Sequence, residues 1–357
     1  MRALQDRLLA WYRRHARRHL PWRKSRNPYH VWVSEAMLQQ TQVETVIPYY
    51  ERFLRRFPSL EALSRAPLTR VLDFWSGLGY YSRAKNLHAG AIQVVREYGG
   101  RIPDRPEDLT QLPGIGRTTA GAIASIAFDR PAPVLDGNVL RILCRYFGIR
   151  QDPRQAAVQA RLWGIAGQLV PENRPGDFNQ ALMDLGATIC LPRHPTCPAC
   201  PIRSGCIARR NGWQERIPPA RRQTPKKRIT YLCGILEQDG RVLLARRPLS
   251  GLLPGLWEFP GGEHRPGSSH AGRLSGLLRE RLGVQAEPAQ PQAQVIQILS
   301  HRRLHLRALR CRWRGRPRPS CGYIALRWVA PGKLQALSLT AGMRRLAGQL
   351  YPAPDGR

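Results

Sequence analysis

Apolar residues recur at the spacing of amphipathic helices through the first part of the chain. The pattern predicts a mainly helical domain over residues 1–206, with prolines and glycines marking the breaks between helices. The clearest helical stretches are 43–57, 60–75, 84–98, 118–128 and 139–147.

The pattern changes after residue 206. Residues 207–228 contain eight Lys or Arg and three prolines without a regular apolar period, which predicts a basic, extended linker. Beyond the linker, stretches 231–237 and 241–245 have the composition of strands, and the Asp239-Gly240 pair between them suits a tight hairpin turn. A second, mixed α/β (α+β) domain is therefore predicted over residues 229–357.

The charge of the chain narrows the choice of partner. The chain has 57 Lys and Arg against 24 Asp and Glu, a formal net charge of +33 at pH 7. Such a charge repels itself unless a polyanion neutralises it, which favours nucleic acid over non-specific adhesion to acidic surfaces. No apolar run is long enough for a membrane span, and the arginine-rich start lacks the apolar core of a signal peptide. A cytoplasmic protein is predicted.

Four cysteines follow the spacing C-x6-C-x2-C-x5-C: Cys190, Cys197, Cys200 and Cys206. Four thiolates so close in sequence can enclose one metal centre, and thiolates are the usual ligands of iron–sulfur clusters. Zinc is the alternative, although zinc ribbons usually supply two C-x-x-C pairs and this segment has one. Such a centre would order the loop that carries Arg193 and His194, which can meet a phosphate. The other cysteines have no pairing pattern and are predicted to be ordinary core or surface residues: Cys144, Cys233, Cys311 and Cys321.

A glycine-rich segment, residues 111–117, separates a short predicted helix from a long one. Gly114 and Gly116 permit a tight turn and the close approach of another backbone. The unpaired N–H groups that begin the following helix can bind an anion such as a phosphate. The alternative is a plain glycine-rich connector between helices.

Two carboxylates are candidates for catalysis. Asn27 and Pro28 predict the start of a helix that continues to residue 38 and carries Glu35 among apolar residues. Partial burial there would raise the pKa of Glu35 and make it an acid near neutral pH. Asp136 precedes another predicted helix. The alternatives are a solvent-facing Glu and a simple helix cap.

The pattern from Thr41 to Glu44 resembles a capping box, so a second helix is predicted to begin at Thr41. Gln39 and Gln40 then occupy a tight turn between two helices. A rigid turn of this kind suits a wedge that enters a stack of bases.

Five blocks decide between these alternatives: VSEAMLQQTQV, GLGYYSRAKNLH, LPGIGRTTAGAI, LDGNV and FNQALMDLGATIC. Over residues 8–206 the chain resembles the MutY-type adenine DNA glycosylases of the helix-hairpin-helix, endonuclease III superfamily. The resemblance implies a monomeric, monofunctional enzyme, associated with the bacterial nucleoid, that removes adenine opposite 8-oxoguanine or guanine in double-stranded DNA. It implies that Glu35 is the catalytic acid and base, that Asp136 is the second catalytic carboxylate, and that the four cysteines hold one [4Fe–4S] cluster.

The resemblance also assigns the substrate contacts. The pocket for the flipped adenine would consist of Trp22, Arg23, Leu38, Thr118, Asn138 and Gln180. Residues near the oxidised guanine would be Gln40, Thr41, Leu78 and Tyr80, and the alternative for Leu78 and Tyr80 is core packing. Bifunctional relatives have a lysine where this chain has Thr118, and a hydroxyl cannot form a Schiff base.

Residues 255–284 resemble a Nudix box that has lost its metal-binding carboxylates. Ser268 and Arg281 replace two of them, Gly276 and Leu277 replace an Arg-Glu pair, and only Glu280 remains. One carboxylate cannot hold a phosphate-bridging Mg²⁺, so this domain is expected to recognise DNA and not to hydrolyse nucleotides.

In MutY proteins a Phe-Ser-His loop of this domain touches the oxidised guanine. This chain has Leu299 in place of the Phe, and Ser300 and His301 are the predicted contacts. The arginine-rich stretch 302–318 is predicted to bind phosphates or, alternatively, to be a solvated basic strand.

Three other functions are compatible with parts of the sequence. They are a non-catalytic binder of damaged DNA, a Nudix hydrolase fused to a DNA-binding domain, and an endonuclease III-like pyrimidine glycosylase-lyase. The two carboxylates oppose the first, the broken Nudix box opposes the second, and Thr118 opposes the third.

Overall fold

The computed structural model describes residues 1–220, 225–264, 267–299 and 302–352. The chain forms two compact units, one of residues 1–66 and 82–222 and one of residues 67–81 and 223–357. The first unit is helical and the second contains both sheets, so the predicted combination of a mainly α part and an α/β part is confirmed. The predicted domain borders stay a prediction.

The helices of the described residues are α1 Arg2–His15, α2 Pro28–Leu38, α3 Val43–Arg56, α4 Leu60–Ser64, α5 Leu68–Trp75, α6 Ser82–Glu97, α7 Pro106–Leu109, α8 Arg117–Phe128, α9 Gly137–Tyr146, α10 Ala156–Leu169, α11 Pro175–Thr188, α12 Ile207–Arg210, α13 His270–Leu282 and α14 Ala341–Leu350. The strands are β1 Lys227–Ile235, β2 Glu237–Gln238, β3 Arg241–Arg246, β4 Trp257–Glu258, β5 Gly261–Glu263, β6 Gln285–Ile298, β7 Arg302–Arg314 and β8 Ala325–Val329. None of these helices combines the length and the apolarity that a bilayer crossing needs.

The helical unit contains a core to which α1, α9, α10 and α11 each contribute. Leu8, Leu143, Leu162 and Phe178 are buried in this core. Each such side chain contributes about 1.5–3 kcal/mol relative to an exposed one. The core therefore holds α9 and α11 in fixed positions, and both helices carry candidate site residues.

Two helix boundaries predicted for residues 1–206 are wrong. The predicted stretch 60–75 is two helices, α4 and α5, because Pro67 cannot continue a helix and precedes α5 as its N-cap. The capping box predicted at Thr41 does not form, since α3 begins at Val43 and Gln42 is its N-cap without a side-chain hydrogen bond. The Thr41 hydroxyl instead accepts a hydrogen bond of 3.1 Å from Nη2 of Arg83.

Part of the segment predicted to be an extended linker is folded. Residues Ile207–Arg210 form α12, and Ala208 and Ile217 are buried in the core of the helical unit. Nε of Arg145 donates a hydrogen bond of 2.8 Å to the carbonyl of Ile217. A regular apolar pattern cannot reveal isolated apolar residues in a basic segment, although such residues anchor the segment to a core.

The second unit contains two sheets in its described residues. One has the strand order β5-β1-β7-β6, with β1 and β7 parallel, and the other has the order β2-β3-β4, with β8 paired to β3. The predicted hairpin turn is confirmed: Gln238 pairs with Arg241, and Asp239 and Gly240 have φ angles of 48° and 69°. The predicted first strand, however, divides into β1 and β2, which belong to different sheets.

A helix covers each side of the sheets in this unit. Leu274 and Leu278 of α13 pack in a cluster with Leu232 of β1, whereas Met343 and Leu346 of α14 belong to another cluster. This arrangement produces two cores in one small α/β unit.

Gly121 of α8 is predicted to be irreplaceable for steric reasons. A Cβ atom at this position would lie 2.0 Å from the carbonyl oxygen of Pro133. Gly121→Ala should therefore lower the free energy of unfolding by about 1–3 kcal/mol, measured by urea unfolding followed by circular dichroism. Gly164→Ala in α10 is the control, because its Cβ would meet nothing within 4 Å and should be neutral or stabilising. Equal stability of the two variants would contradict this account.

Candidate active site

A cavity of about 470 Å³ lies within the helical unit. Glu35 of α2 and Asp136, which precedes α9, both line it. All six residues predicted for the base pocket line the same cavity: Trp22, Arg23, Leu38, Thr118, Asn138 and Gln180. Residues distant in sequence thus converge on one space of the size that small-ligand pockets have.

Glu35 is a partly buried acid on a largely buried helix. The Asn27 side chain caps α2 as predicted, accepting hydrogen bonds from the N–H groups of Tyr29 and His30. Burial, reinforced by the negative charge of Asp136, raises the pKa of Glu35 to about 7, against the opposing charge of Arg23. At neutral pH this carboxyl group is therefore able both to give and to take a proton.

Asp136 caps α9 and faces the cavity at the same time. Its Oδ1 accepts a hydrogen bond of 2.8 Å from the N–H of Val139, and its Oδ2 accepts one of 3.3 Å from Nδ2 of Asn138. Burial raises the pKa of Asp136, while these hydrogen bonds lower it by stabilising the anion. The cap and the candidate catalytic group are thus the same carboxylate.

The backbone before Asp136 is held by α8. The Thr118 hydroxyl donates a hydrogen bond of 3.1 Å to the carbonyl of Leu135. The absence of a Cβ at Gly121 lets Pro133 approach the helix. Thr118 therefore lines the cavity and also positions the neighbouring carboxylate.

Arg23 belongs to a buried network at one side of the cavity. Its Nη2 lies 3.1 Å from Oδ1 of Asp184, and its Nη1 donates hydrogen bonds to the Tyr12 hydroxyl and to Oε1 of Gln180. Arg17 forms a second ion pair with Asp184, at 2.7 Å. Asp184 is completely buried.

The turn between α2 and α3 has the predicted rigid tip. Gln40 is exposed and has a positive φ angle of 58°, which is uncommon for a residue other than glycine. Nη1 of Arg83 lies within hydrogen-bonding distance of the carbonyls of Ala36, Met37 and Gln39. Because a buried cation holds the end of α2 and the turn together, the position of Gln40 is well defined.

The other residues predicted near the mispair belong to the second unit. The side chain of Leu78 is buried, as the core-packing alternative has it, whereas Tyr80 is 42% exposed with a φ angle of 48°. Ser300 and His301 lie outside the described residues.

The glycine-rich segment forms the predicted turn between α7 and α8. Gly114 has a φ angle of 77°, and a Cβ there would lie 2.6 Å from Cβ of Asn86. Gly116 is the exposed N-cap of α8 and supplies no side-chain hydrogen bond to the helix. The N–H groups at this end are therefore available to an anion.

The four cysteines of the spacing motif line one cavity of about 30 Å³: Cys190, Cys197, Cys200 and Cys206. In the described residues no group of three or more His, Cys, Asp or Glu side chains has, as it stands, the geometry to hold a metal ion. The remaining cysteines are core or surface residues as predicted, with Cys144, Cys233 and Cys311 buried and Cys321 exposed.

A buried arginine lies beside these thiols. Nη1 of Arg145 donates hydrogen bonds to Sγ of Cys190 at 3.3 Å and to the carbonyl of Leu191 at 2.7 Å. Within the described ranges no salt bridge joins Arg145 to a carboxylate, although this side chain is only 2% exposed. A buried cation is costly unless an anion is close, so the donor set fits thiolates that carry charge.

Three residues of the helical unit that organise the site were not predicted from the sequence: Arg83, Arg145 and Asp184. Each is a charged residue within an apolar helical stretch, on α6, α9 and α11. That placement could have identified them from the sequence, because a charged side chain on the apolar face of a helix is either buried with a partner or destabilising.

Comparison with known proteins identifies the class of this protein, whose cavity carries two carboxylates, as a base-excision DNA glycosylase. The family model described as "HhH-GPD superfamily base excision DNA repair protein" matches residues 33–168, and a NUDIX domain model matches residues 231–349. A structure titled as a thermostable thymine-DNA glycosylase has a TM-score of 0.53 and 30% sequence identity, covering 59% of this chain and 96% of that chain.

Relatives with established names identify the family within this class. The adenine DNA glycosylase of Rattus norvegicus is 39% identical over 399 residues, covering 96% of this chain and 77% of the relative. The adenine DNA glycosylase of Homo sapiens is 38% identical over 401 residues, covering 96% of this chain and 73% of the relative. The chain belongs to the adenine DNA glycosylase (MutY) family.

The interaction between the two carboxylates can be tested by titration. Asp136→Asn should lower the midpoint of Glu35 from its value of about 7, because a neighbouring negative charge is removed. The carboxyl ¹³C shift of labelled Glu35, followed by NMR against pH, measures this midpoint. Asp177→Asn, which removes a carboxylate paired with Arg174, is the control and should leave the midpoint unchanged. An unchanged midpoint in Asp136→Asn would show that the two groups are not coupled.

Proposed function

We propose that this enzyme hydrolyses the N-glycosidic bond of adenine opposite 8-oxoguanine or guanine in double-stranded DNA, by acid–base catalysis at Glu35 and Asp136. The observation that carries the proposal is the presence of a carboxyl group with a pKa of about 7 and a hydrogen-bonded second carboxylate on one cavity. Enzymes that hydrolyse glycosidic bonds usually use two carboxyl groups in different protonation states.

Protonated Glu35 donates its proton to N7 of the flipped adenine, which makes the base a better leaving group. The C1′–N9 bond then breaks, its electron pair stays with the base, and the sugar becomes an oxocarbenium ion. Glu35, now a carboxylate, takes a proton from the water that adds to C1′. Base release should slow as the pH rises through about 7, because the acid is then lost.

Asp136 supplies the negative charge that the oxocarbenium ion needs. The hydrogen bonds from Val139 and Asn138 keep its carboxylate oriented and favour the anion. Burial strengthens its interaction with a developing positive charge because the local dielectric is low.

Adenine reaches this cavity only after rotation out of the duplex, because the target atoms are inaccessible in a base stack. In the first unit, Gln40 on its rigid exposed turn suits insertion near the mispair, and the neighbouring Thr41 is proposed to contact the oxidised guanine. In the second unit, the exposed ring of Tyr80 suits the same role, and Leu78 is a further proposed contact. Ser300 and His301 are proposed to contact the oxidised guanine. The N-terminus of α8 at Gly116 and the net charge of +33 support binding of the phosphate backbone.

The enzyme is proposed to be monofunctional. The position of the Schiff-base lysine in bifunctional relatives is occupied by Thr118, and a hydroxyl cannot form an imine with the sugar. The Thr118 hydroxyl is also engaged with the carbonyl of Leu135.

The four-cysteine cavity is proposed to hold one [4Fe–4S] cluster with a structural role. Cys190, Cys197, Cys200 and Cys206 would supply the four thiolates that hold the cluster, and the bound centre would tie the cysteine loop together. Its negative charge would face the buried guanidinium of Arg145. Arg145 also holds the carbonyls of Leu191 and Pro192, so this residue ties the cysteine loop to α9, the helix that follows Asp136.

Glu35→Gln is predicted to abolish cleavage and to preserve DNA binding, because the amide keeps the shape of the side chain and loses the proton. The assay incubates the protein with duplexes containing adenine opposite 8-oxoguanine or guanine and then cleaves abasic sites with hot alkali. Glu44→Gln, at an exposed position of α3, is the matched control and should retain wild-type activity.

The same assay separates the competing functions. Strand cleavage without alkali, or an adduct trapped in high yield by borohydride, would show lyase activity and contradict the monofunctional proposal. Full cleavage by Glu35→Gln would exclude its role as the proton donor. No product from the wild-type protein on either duplex would refute the proposed substrate.

The metal is tested by analysis of the purified protein. About four iron atoms and matching sulfide per chain are expected, with a broad visible absorption band. Cys197→Ser should lose iron and the band, whereas the exposed Cys321→Ser should retain both. Stoichiometric zinc without iron would overturn the cluster proposal in favour of a zinc site.

A further inference from the structure

Asp184 is a buried charge that the proposed chemistry does not use. It lies on α11, one helical turn after Gln180, and is completely buried. Both of its carboxylate oxygens accept hydrogen bonds, from Nε of Arg17 at 2.8 Å, from the backbone N–H of Arg17 at 3.3 Å and from Nη2 of Arg23 at 3.1 Å. A buried carboxylate with this many donors fixes the positions of both guanidinium groups.

Arg23 transmits this constraint to the cavity. A guanidinium group can only donate hydrogen bonds, so the atom of Gln180 that contacts Nη1 of Arg23 must be the carbonyl oxygen, Oε1. The amide of Gln180 then has one orientation, with its Nε2 donor directed away from Arg23. Gln180 lines the cavity that also contains Glu35.

We propose that Asp184 is a positioning residue for base selectivity, which holds Arg23 so that Arg23 fixes the orientation of the Gln180 amide. This inference rests on the proposed function, because it concerns the base that enters the same cavity. An amide of fixed orientation offers its donor and its acceptor in one order only. Adenine matches such an order at its N1 edge, because its six-amino group is a donor next to the ring acceptor N1.

Hypoxanthine distinguishes a fixed amide from a free one. It has the size of adenine, but it carries an oxygen acceptor at position six and a donor at N1. A fixed amide therefore mismatches hypoxanthine, whereas an amide that can rotate by half a turn accommodates it. Loss of the constraint from Asp184 should relax the preference between the two bases.

The test uses Asp184→Asn in the full chain. Asparagine has the shape of aspartate, but only one of its two end atoms accepts hydrogen bonds, and the other would face a donor of Arg17 or Arg23. Single-turnover rate constants are measured on duplexes with adenine or hypoxanthine opposite 8-oxoguanine. The ratio of the two rate constants should fall by about tenfold or more, with a slower reaction on adenine.

Asp177→Asn is the matched control on the same helix, since Asp177 pairs with Arg174 near the surface, and its ratio should equal that of the wild type. A merely structural role of Asp184 would slow both substrates equally and leave the ratio unchanged, which would overturn the proposal. Wild-type protein that releases no adenine would refute the proposed function instead.

A second variant keeps the test decisive if circular dichroism shows that Asp184→Asn is unfolded. Arg23→Lys retains the charge but cannot bridge Asp184 and Gln180 with a planar fork of donors. The folded Arg23→Lys variant should show the same fall in the ratio, and a wild-type ratio would exclude the relay through Arg23.

Discussion

The close approach of α8 to the backbone of residues 133–135 is the constraint on which the helical unit depends. Gly121 has no side chain where Pro133 passes, and Thr118 binds the carbonyl of Leu135 one turn away. These contacts place Asp136 at the edge of the cavity, where its negative charge adds to the effect of burial in raising the pKa of Glu35 on α2. A longer side chain at position 121 would move the backbone that carries the second carboxylate, and the two acids would no longer line one cavity in the same way.

Around this packing, buried arginines organise polar groups that would otherwise be costly to bury. Arg83 binds the carbonyls at the end of α2, Arg145 binds those of the cysteine loop, and Arg23 links Asp184 to Gln180. Arginine suits this role because its planar group donates several hydrogen bonds in fixed directions and stays charged. The large positive charge of the chain therefore has two uses, since part of it faces solvent and part of it orders the interior.

The second unit matches a NUDIX domain, although its sequence has few of the acidic residues of a Nudix box. Its NUDIX domain match covers residues 231–349, yet Glu280 is the sole carboxylate that remains from the metal-binding pattern, and it is exposed on α13. Glu258 is a buried acid of this unit, and it is paired with Arg247 and accepts hydrogen bonds from the hydroxyls of Tyr231 and Tyr323. A carboxylate held in this way stabilises a core and is not free to bind a metal ion.

Local features of this protein were determined by the sequence alone, because they depend on neighbouring residues. Asn27 and Pro28 specify the start of α2, and the Asp239-Gly240 pair specifies a turn with two positive φ angles. The spacing of the four cysteines and the apolar residues around Glu35 likewise act over short distances. These rules predicted the helical character of the first unit and the main catalytic candidates.

Only the tertiary structure decided features that depend on residues distant in sequence. Arg83 takes the Thr41 hydroxyl, so α3 begins two residues later than its capping pattern indicates. The strand predicted as one arm of a hairpin divides because β7, far along the chain, pairs with β1. Asp184 is buried because Arg17 and Arg23, 167 and 161 residues earlier, reach it from another part of the fold. The periodicity of apolar residues cannot identify such partners. A charged residue on the apolar face of a helix indicates that a counterion must be close, but the pattern does not show which residue supplies it.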